Sequence, residues 1–148
     1  SRIGERESEN VKKKSIFISH GRSKEWYKVQ VYLEKDLHLS TIELAQQPNL
    51  GRSVLQKLNE ESNMCSVAII IMTGDDDFNG SEIRARENVL HEIGFFQGRL
   101  GLDKIALLHE EGVNIPSNIH GLVYIPFPKD TVEATFAALT RELKIIMA

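Results

Sequence analysis

From Ser15 onward, short apolar runs alternate with stretches whose apolar residues recur every three or four positions. SIFIS (15–19), STIEL (40–44), SVAIIIM (66–72), KIALLH (104–109) and LVYIPF (122–127) read as five strands. The third is continuous rather than alternating, the pattern of a central strand covered on both faces. Trp26, Val29, Leu33 and Leu37 form one helical stripe. Val54, Leu55 and Leu58 mark a second helix, and Val89, Ile93, Phe96 and Leu100 a third that Gly101 closes. Val132, Phe136, Leu139, Leu143 and Ile146 mark the last. Residues 45–53, with Pro48, Asn49 and Gly51, read as a loop.

Strand–helix alternation predicts an α/β domain with a right-handed parallel sheet covered by helices on both faces. Five strands in this length suggest the flavodoxin-like order 2-1-3-4-5, with a ligand crevice at the carboxyl ends of strands one and three. That rule selects residues 19–24, 45–53 and 73–86. Residues 1–14 have Ile3 and Val11 as their aliphatic anchors and read as a linker or tag remnant. A basic patch at Lys12–Lys14 for lipid or nucleic acid is the less favoured alternative. Residues 15–148 then form one domain.

Composition narrows the function. The 148 residues are 41% hydrophobic and 26% charged, enough for a core and for solubility. With 18 basic and 21 acidic side chains the formal charge is −3, against a duplex nucleic-acid binder. Cys65 stands alone, which excludes a disulfide-stapled module and a multi-cysteine zinc site. No run reaches the ~18 apolar residues of a membrane span, and no secretory signal leads the chain. The expectation is a soluble cytoplasmic domain, cut from a longer chain because it begins at Ser1. No P-loop or dinucleotide glycine motif is present, and the five histidines lack metal-ligand spacing. Gly94, Gly98 and Gly101 lie along and at the end of a helix, where close helix packing is the expected role.

Asp75, Asp76 and Asp77 could ligate a cation, but beside Asn79-Gly80 they read more simply as a solvated turn. Asp75, nearest the strand end, is kept as a candidate. Gly51, Arg52 and Ser53 run into a helix start and suit either a phosphate or ribose seat or a plain N-cap. Asn88 and Glu92, four apart, share a helix face bordering the stripe of Val89, Ile93 and Phe96. A half-buried Glu92 there either pairs with Arg86 or Arg99 or does chemistry.

SIFISHGRS, QQPNLGRSVLQK, AIIIMTGDDD, RARENVLHEIGFFQGRLG and GVNIPSNIHGLVYIPF occur in this order. Together they resemble the bacterial TIR-like domains described as predicted nucleotide-binding proteins. These include effectors of the cyclic-nucleotide-triggered CBASS and Pycsar anti-phage systems, among them STING-TIR-like NADases. The resemblance spans residue 15 to about residue 147 and implies a TIR fold. It implies NAD⁺ glycohydrolase activity with Glu92 catalytic and NAD⁺ as substrate rather than cofactor, without a metal. Residues 45–53 correspond to the BB loop, which covers substrate and mediates self-association. Many relatives carry an aromatic residue where this chain has Asn88. Ser19, His20, Gly21 and Arg22, with Arg52 and Arg86, are the candidates for holding ribose and diphosphate. Gly51, Ser53, Asp75 and Asn88 complete the substrate-binding set. The resemblance further implies a cyclic-nucleotide sensor domain, in the same or a partner chain. Two other readings remain: an adaptor that self-associates without turnover, and a sensor that binds a nucleotide without cleaving it.

Overall fold

The computed structural model describes residues 15–74 and 82–148, with side chains from residue 86 onward in the second span. The proposed linker and Asp75 lie outside the described residues. Five strands, β1 (Ser15–His20), β2 (Thr41–Glu43), β3 (Cys65–Met72), β4 (Ile105–Glu110) and β5 (Val123–Phe127), form one sheet. All neighbouring pairs are parallel and the order is β2-β1-β3-β4-β5, as the alternating pattern predicts. Helices α1 (Glu25–Val31), α2 (Val54–Ser62), α3 (Glu82–Leu100) and α4 (Phe136–Ile146) connect or follow the strands. A π-helical turn, Tyr32–Asp36, extends α1.

Alternating residues of each strand supply two cores. Ile16, Ile18, Val67, Ile69 and Ile71 pack with Val29 of α1, Leu33 of its π-helical extension, and Leu139 and Leu143 of α4. Phe17, Ala68, Ile70 and Met72 pack with Val89, Ile93 and Phe96 of α3, and Leu58 of α2 joins them. Both faces of the sheet are therefore covered, which is why β3 reads as an unbroken apolar run.

Two local expectations need correction, for the helix glycines and for the 45–53 loop, and the second helix buries an unexpected face. Gly94 and Gly98 are exposed, and a Cβ added at either meets no atom within 4 Å, so no close packing requires them. Val54 and Leu55 of α2 are 77% and 69% exposed, whereas Lys57 of the same helix is buried. The helix start is fixed by polar capping rather than by an apolar stripe: Ser53 Oγ accepts from Gln56 N–H, and Gln56 Oε1 accepts from Ser53 N–H. The loop assigned to residues 45–53 begins as a 3₁₀ turn, Leu44–Gln46. At Gly101, φ is +90°, a conformation that favours glycine and ends α3 as expected.

Candidate active site at the β1–β3 switch point

After β1 the chain turns toward the α1 face, and after β3 toward the α3 face. The carboxyl ends of these neighbouring strands therefore open into a crevice. Two clefts occupy it. The smaller, about 190 Å³, is lined by His20, Gly21, Arg22, Ile71, Asn88, Val89 and Glu92. The larger, about 560 Å³, lies between the β1 and β2 ends and helices α2 and α3. Leu44, Val54, Leu58, Phe95 and Phe96 give it apolar walls, while Ser19, Asn49, Arg52 and Lys57 add polar groups. His20 and Glu92 line both clefts. Glu92 is half-buried, as its place beside the stripe of Val89, Ile93 and Phe96 predicts.

His20 is held on three sides. Its ring stacks on Trp26 of α1, centroids 4.4 Å apart. Nδ1 lies 2.7 Å from the Gly21 carbonyl oxygen, and Nε2 lies 2.8 Å from Glu43 Oε1. Glu43 is itself buried, and its Oε2 accepts from Gln46 N–H at 2.9 Å. One carboxylate thus orients the imidazole and caps the 3₁₀ turn that opens the 45–53 loop. Gln30 of α1 holds the same turn through reciprocal amide hydrogen bonds with Gln46.

Arg52 is committed within its own loop. Its guanidinium pairs with Glu60 at 2.8 Å and Glu61 at 3.0 Å and donates to the Pro48 and Asn49 carbonyls. The hydrogen bond that it donates to Glu60, with Glu61 beside it, raises its pKa above the ordinary arginine value. Leu50 and Gly51, both at positive φ, turn the chain back on itself there. Ser53 fills the capping role weighed for it.

The structure gathers Ser19, His20, Gly21, Arg22, Arg52, Asn88 and Glu92 around the two clefts. Gly51, Ser53 and Arg86 do not line them. Of the two arginines weighed as partners of Glu92, Arg86 donates to Asn114 Oδ1 and Arg99 to Asn63 Oδ1. Glu43, Asn49, Lys57 and Phe95 line the larger cleft without having been singled out. The Glu43–His20 contact follows from strand register, since Ile18 pairs with Glu43. A glutamate closing a short strand beside the first one was the available signal.

Cys65 is inert by environment, because burial, with Glu61 nearby, pushes its thiol up to about 12. Among the described residues no group of three or more His, Cys, Asp or Glu could hold a metal ion. No described helix is long and apolar enough to cross a membrane.

A parallel sheet of this order, with its crevice at the switch point, places the chain in the flavodoxin-like α/β class. The family model described as the TIR domain of the CAP12/Pycsar effector protein matches residues 15–129, and the chain belongs to that family. It is 34% identical to protein YuaY of Escherichia coli K12 over 116 residues, covering 75% of this chain and 39% of that protein. Identity to the Pycsar effector protein BcPycTIR of Burkholderia cepacia is 37% over 98 residues, 61% of this chain and 32% of that one. CD-NTase-associated protein 12 of Niabella drilacis is 36% identical over 98 residues, 64% of this chain and 31% of that one. The matched segments span about a third of these relatives' lengths. The SEFIR domain of the interleukin-17 receptor B shares the fold, with a TM-score of 0.50 at 11% identity, covering 89% of this chain and 96% of that one.

Proposed function

We propose that this chain is the catalytic module of an anti-phage effector, an NAD⁺ glycohydrolase that releases nicotinamide and leaves ADP-ribose or its cyclic form. The observation that carries the reading is Glu92, half-buried on the wall common to two clefts at the β1–β3 switch point. The bond that breaks joins the ribose C1′ to the nicotinamide nitrogen, and its electron pair returns to that nitrogen. Nicotinamide departs neutral from a cationic precursor, so no general acid is needed, unlike ordinary glycoside hydrolysis. What remains is stabilising oxocarbenium-like charge on the ribose and orienting its hydroxyls, which one fixed anion can do. Water then forms the new C1′–O bond and loses a proton; attack by an adenine nitrogen instead gives the cyclic product.

In this reading Glu92 carries the catalytic charge, and Ser19, His20, Gly21, Arg22 and Asn88 contact the substrate around it. Arg52, Gly51 and Ser53 shape the covering loop. The side chains of Leu50, Val54 and Leu55, each more than two-thirds exposed on and beside that loop, favour self-association through it. They equally suit an adaptor without turnover. The names of the relatives, a Pycsar effector and a CD-NTase-associated protein, support a cyclic-nucleotide sensor acting outside this fold.

The test follows nicotinamide release by chromatography at low and high protein concentration and on a forced oligomer. Glu92→Gln should lower kcat/KM by about 10²-fold or more with an unchanged melting temperature. Release that is equal in the variant removes Glu92 from the chemistry. No release by the unmodified forced oligomer leaves the adaptor.

A further inference from the structure

The larger cleft contains a cation that the fold does not neutralise. Lys57 is only 7% exposed, yet its ammonium donates to one neutral acceptor, Asn49 Oδ1 at 2.8 Å. Among the described residues it makes no ion pair. The neighbouring carboxylates are occupied: Glu60 and Glu61 hold Arg52, and Glu43 holds His20 and the Gln46 amide. An ammonium has three donors and is costly to bury without an opposite charge. Its position adds to that cost. Lys57 is the fourth residue of α2, and its ammonium reaches back to Asn49, ahead of the Ser53 cap, toward the helix end whose dipole favours anions. Burial, an unmatched charge and the positive end of a helix all favour a negatively charged occupant at one point of the cleft.

We infer that Lys57 is the oxyanion-binding group of the larger cleft and holds the diphosphate of a dinucleotide, a role that rests on the NAD⁺ reading above. The apolar walls formed by Leu44, Leu58, Phe95 and Phe96 suit a flat base beside it, and about 560 Å³ is ample for a nucleoside diphosphate. Arg52, whose charge is already matched, fixes the loop around that site instead of binding the phosphates. Asn49 occupies one of the three ammonium donors, and a phosphate oxygen would take its place or fill the other two.

The experiment titrates ADP-ribose and adenosine calorimetrically into the unmodified chain and into Lys57→Met, which keeps the length of the side chain and removes its charge. ADP-ribose should bind at least about tenfold more weakly to the variant and more weakly to the unmodified chain as salt rises, while adenosine binding stays within about twofold. A merely structural lysine would weaken both ligands together. Equal weakening, unchanged ADP-ribose binding, or no ADP-ribose binding by the unmodified chain each overturns the assignment. Should Lys57→Met fail to fold, Lys57→Gln and displacement of ADP-ribose by inorganic pyrophosphate from the unmodified chain test the same point. Nicotinamide release from the same preparations separates the two readings. Lys57-dependent binding without release overturns the hydrolase and keeps the anion site; release with Lys57-independent binding does the reverse.

Discussion

On the face of the sheet carrying α1 and α4, Val29, Leu33, Leu139 and Leu143 are each at most 3% exposed, and Tyr32 stacks on Phe136 with centroids 4.1 Å apart. Lys28 ties that face together by reaching Glu25, Glu133 and the Asp130 carbonyl. On the opposite face α2 exposes Val54 and Leu55 while burying a lysine, and α3 carries glycines at 94 and 98 that no packing demands. Both clefts open beside this second pair of helices. The α1–α4 face is the more closely packed, although it too holds a pocket of about 350 Å³, lined by Leu37, Leu39, Thr140, Leu143, Lys144 and Met147. The other gives up burial in order to keep a crevice, a loop and an apolar surface available, as regions that bind ligands commonly do.

The sharpest way to break that contrast is to truncate one side chain on each face. Leu139→Ala should cost about 2–5 kcal/mol by leaving a cavity under α4, whereas Leu55→Ala should stay within about 0.5 kcal/mol. Urea denaturation of both variants measures the difference, and equal losses would erase the distinction between the faces. A smaller effect of opposite sign is expected from Gly94→Ala. With no atom within 4 Å of the new Cβ, the alanine should stabilise α3 by about 0.5–1 kcal/mol, read as a raised denaturation midpoint.

The smallest expected effect concerns pH. His109, at the end of β4 against Tyr124, has its pKa lowered, chiefly by burial, while Glu110 and Glu111 oppose the shift. The unfolded chain therefore binds this proton more readily than the folded one. Stability should decline as pH falls below about 6.5, with no contribution above it. His109→Gln should flatten the decline in denaturation midpoints between pH 7 and pH 5. A variant curve parallel to that of the unmodified chain would dismiss His109 as its source.

The sheet was legible because its signals are local. The uninterrupted apolar run of β3 and the helical stripes of α1, α3 and α4 need only neighbouring residues to be read. Strand ends moved by at most one position, as at β2, where Glu43 caps the following turn and stops the strand. Glu92 could be placed beside the crevice because helix periodicity and the switch-point rule act on the same residue. Lys57 was illegible for the opposite reason: by period it belongs with solvent, and its burial is imposed by the folded-back loop carrying Asn49 and Arg52. The partners that hold Arg52, Glu60 and Glu61, lie two helical turns on, and nothing in the PNLGR segment announces them.

The borders of the sheet limit how copies of this domain can meet. β2 offers only three residues along one edge, and β5 at the other carries Pro126, which has no amide proton to donate. Short edges and an edge proline discourage strand-to-strand joining, the route by which exposed sheets grow into aggregates. Any contact between copies would then be made by side chains rather than by joined strands. Such contacts can form and come apart without the sheet being extended.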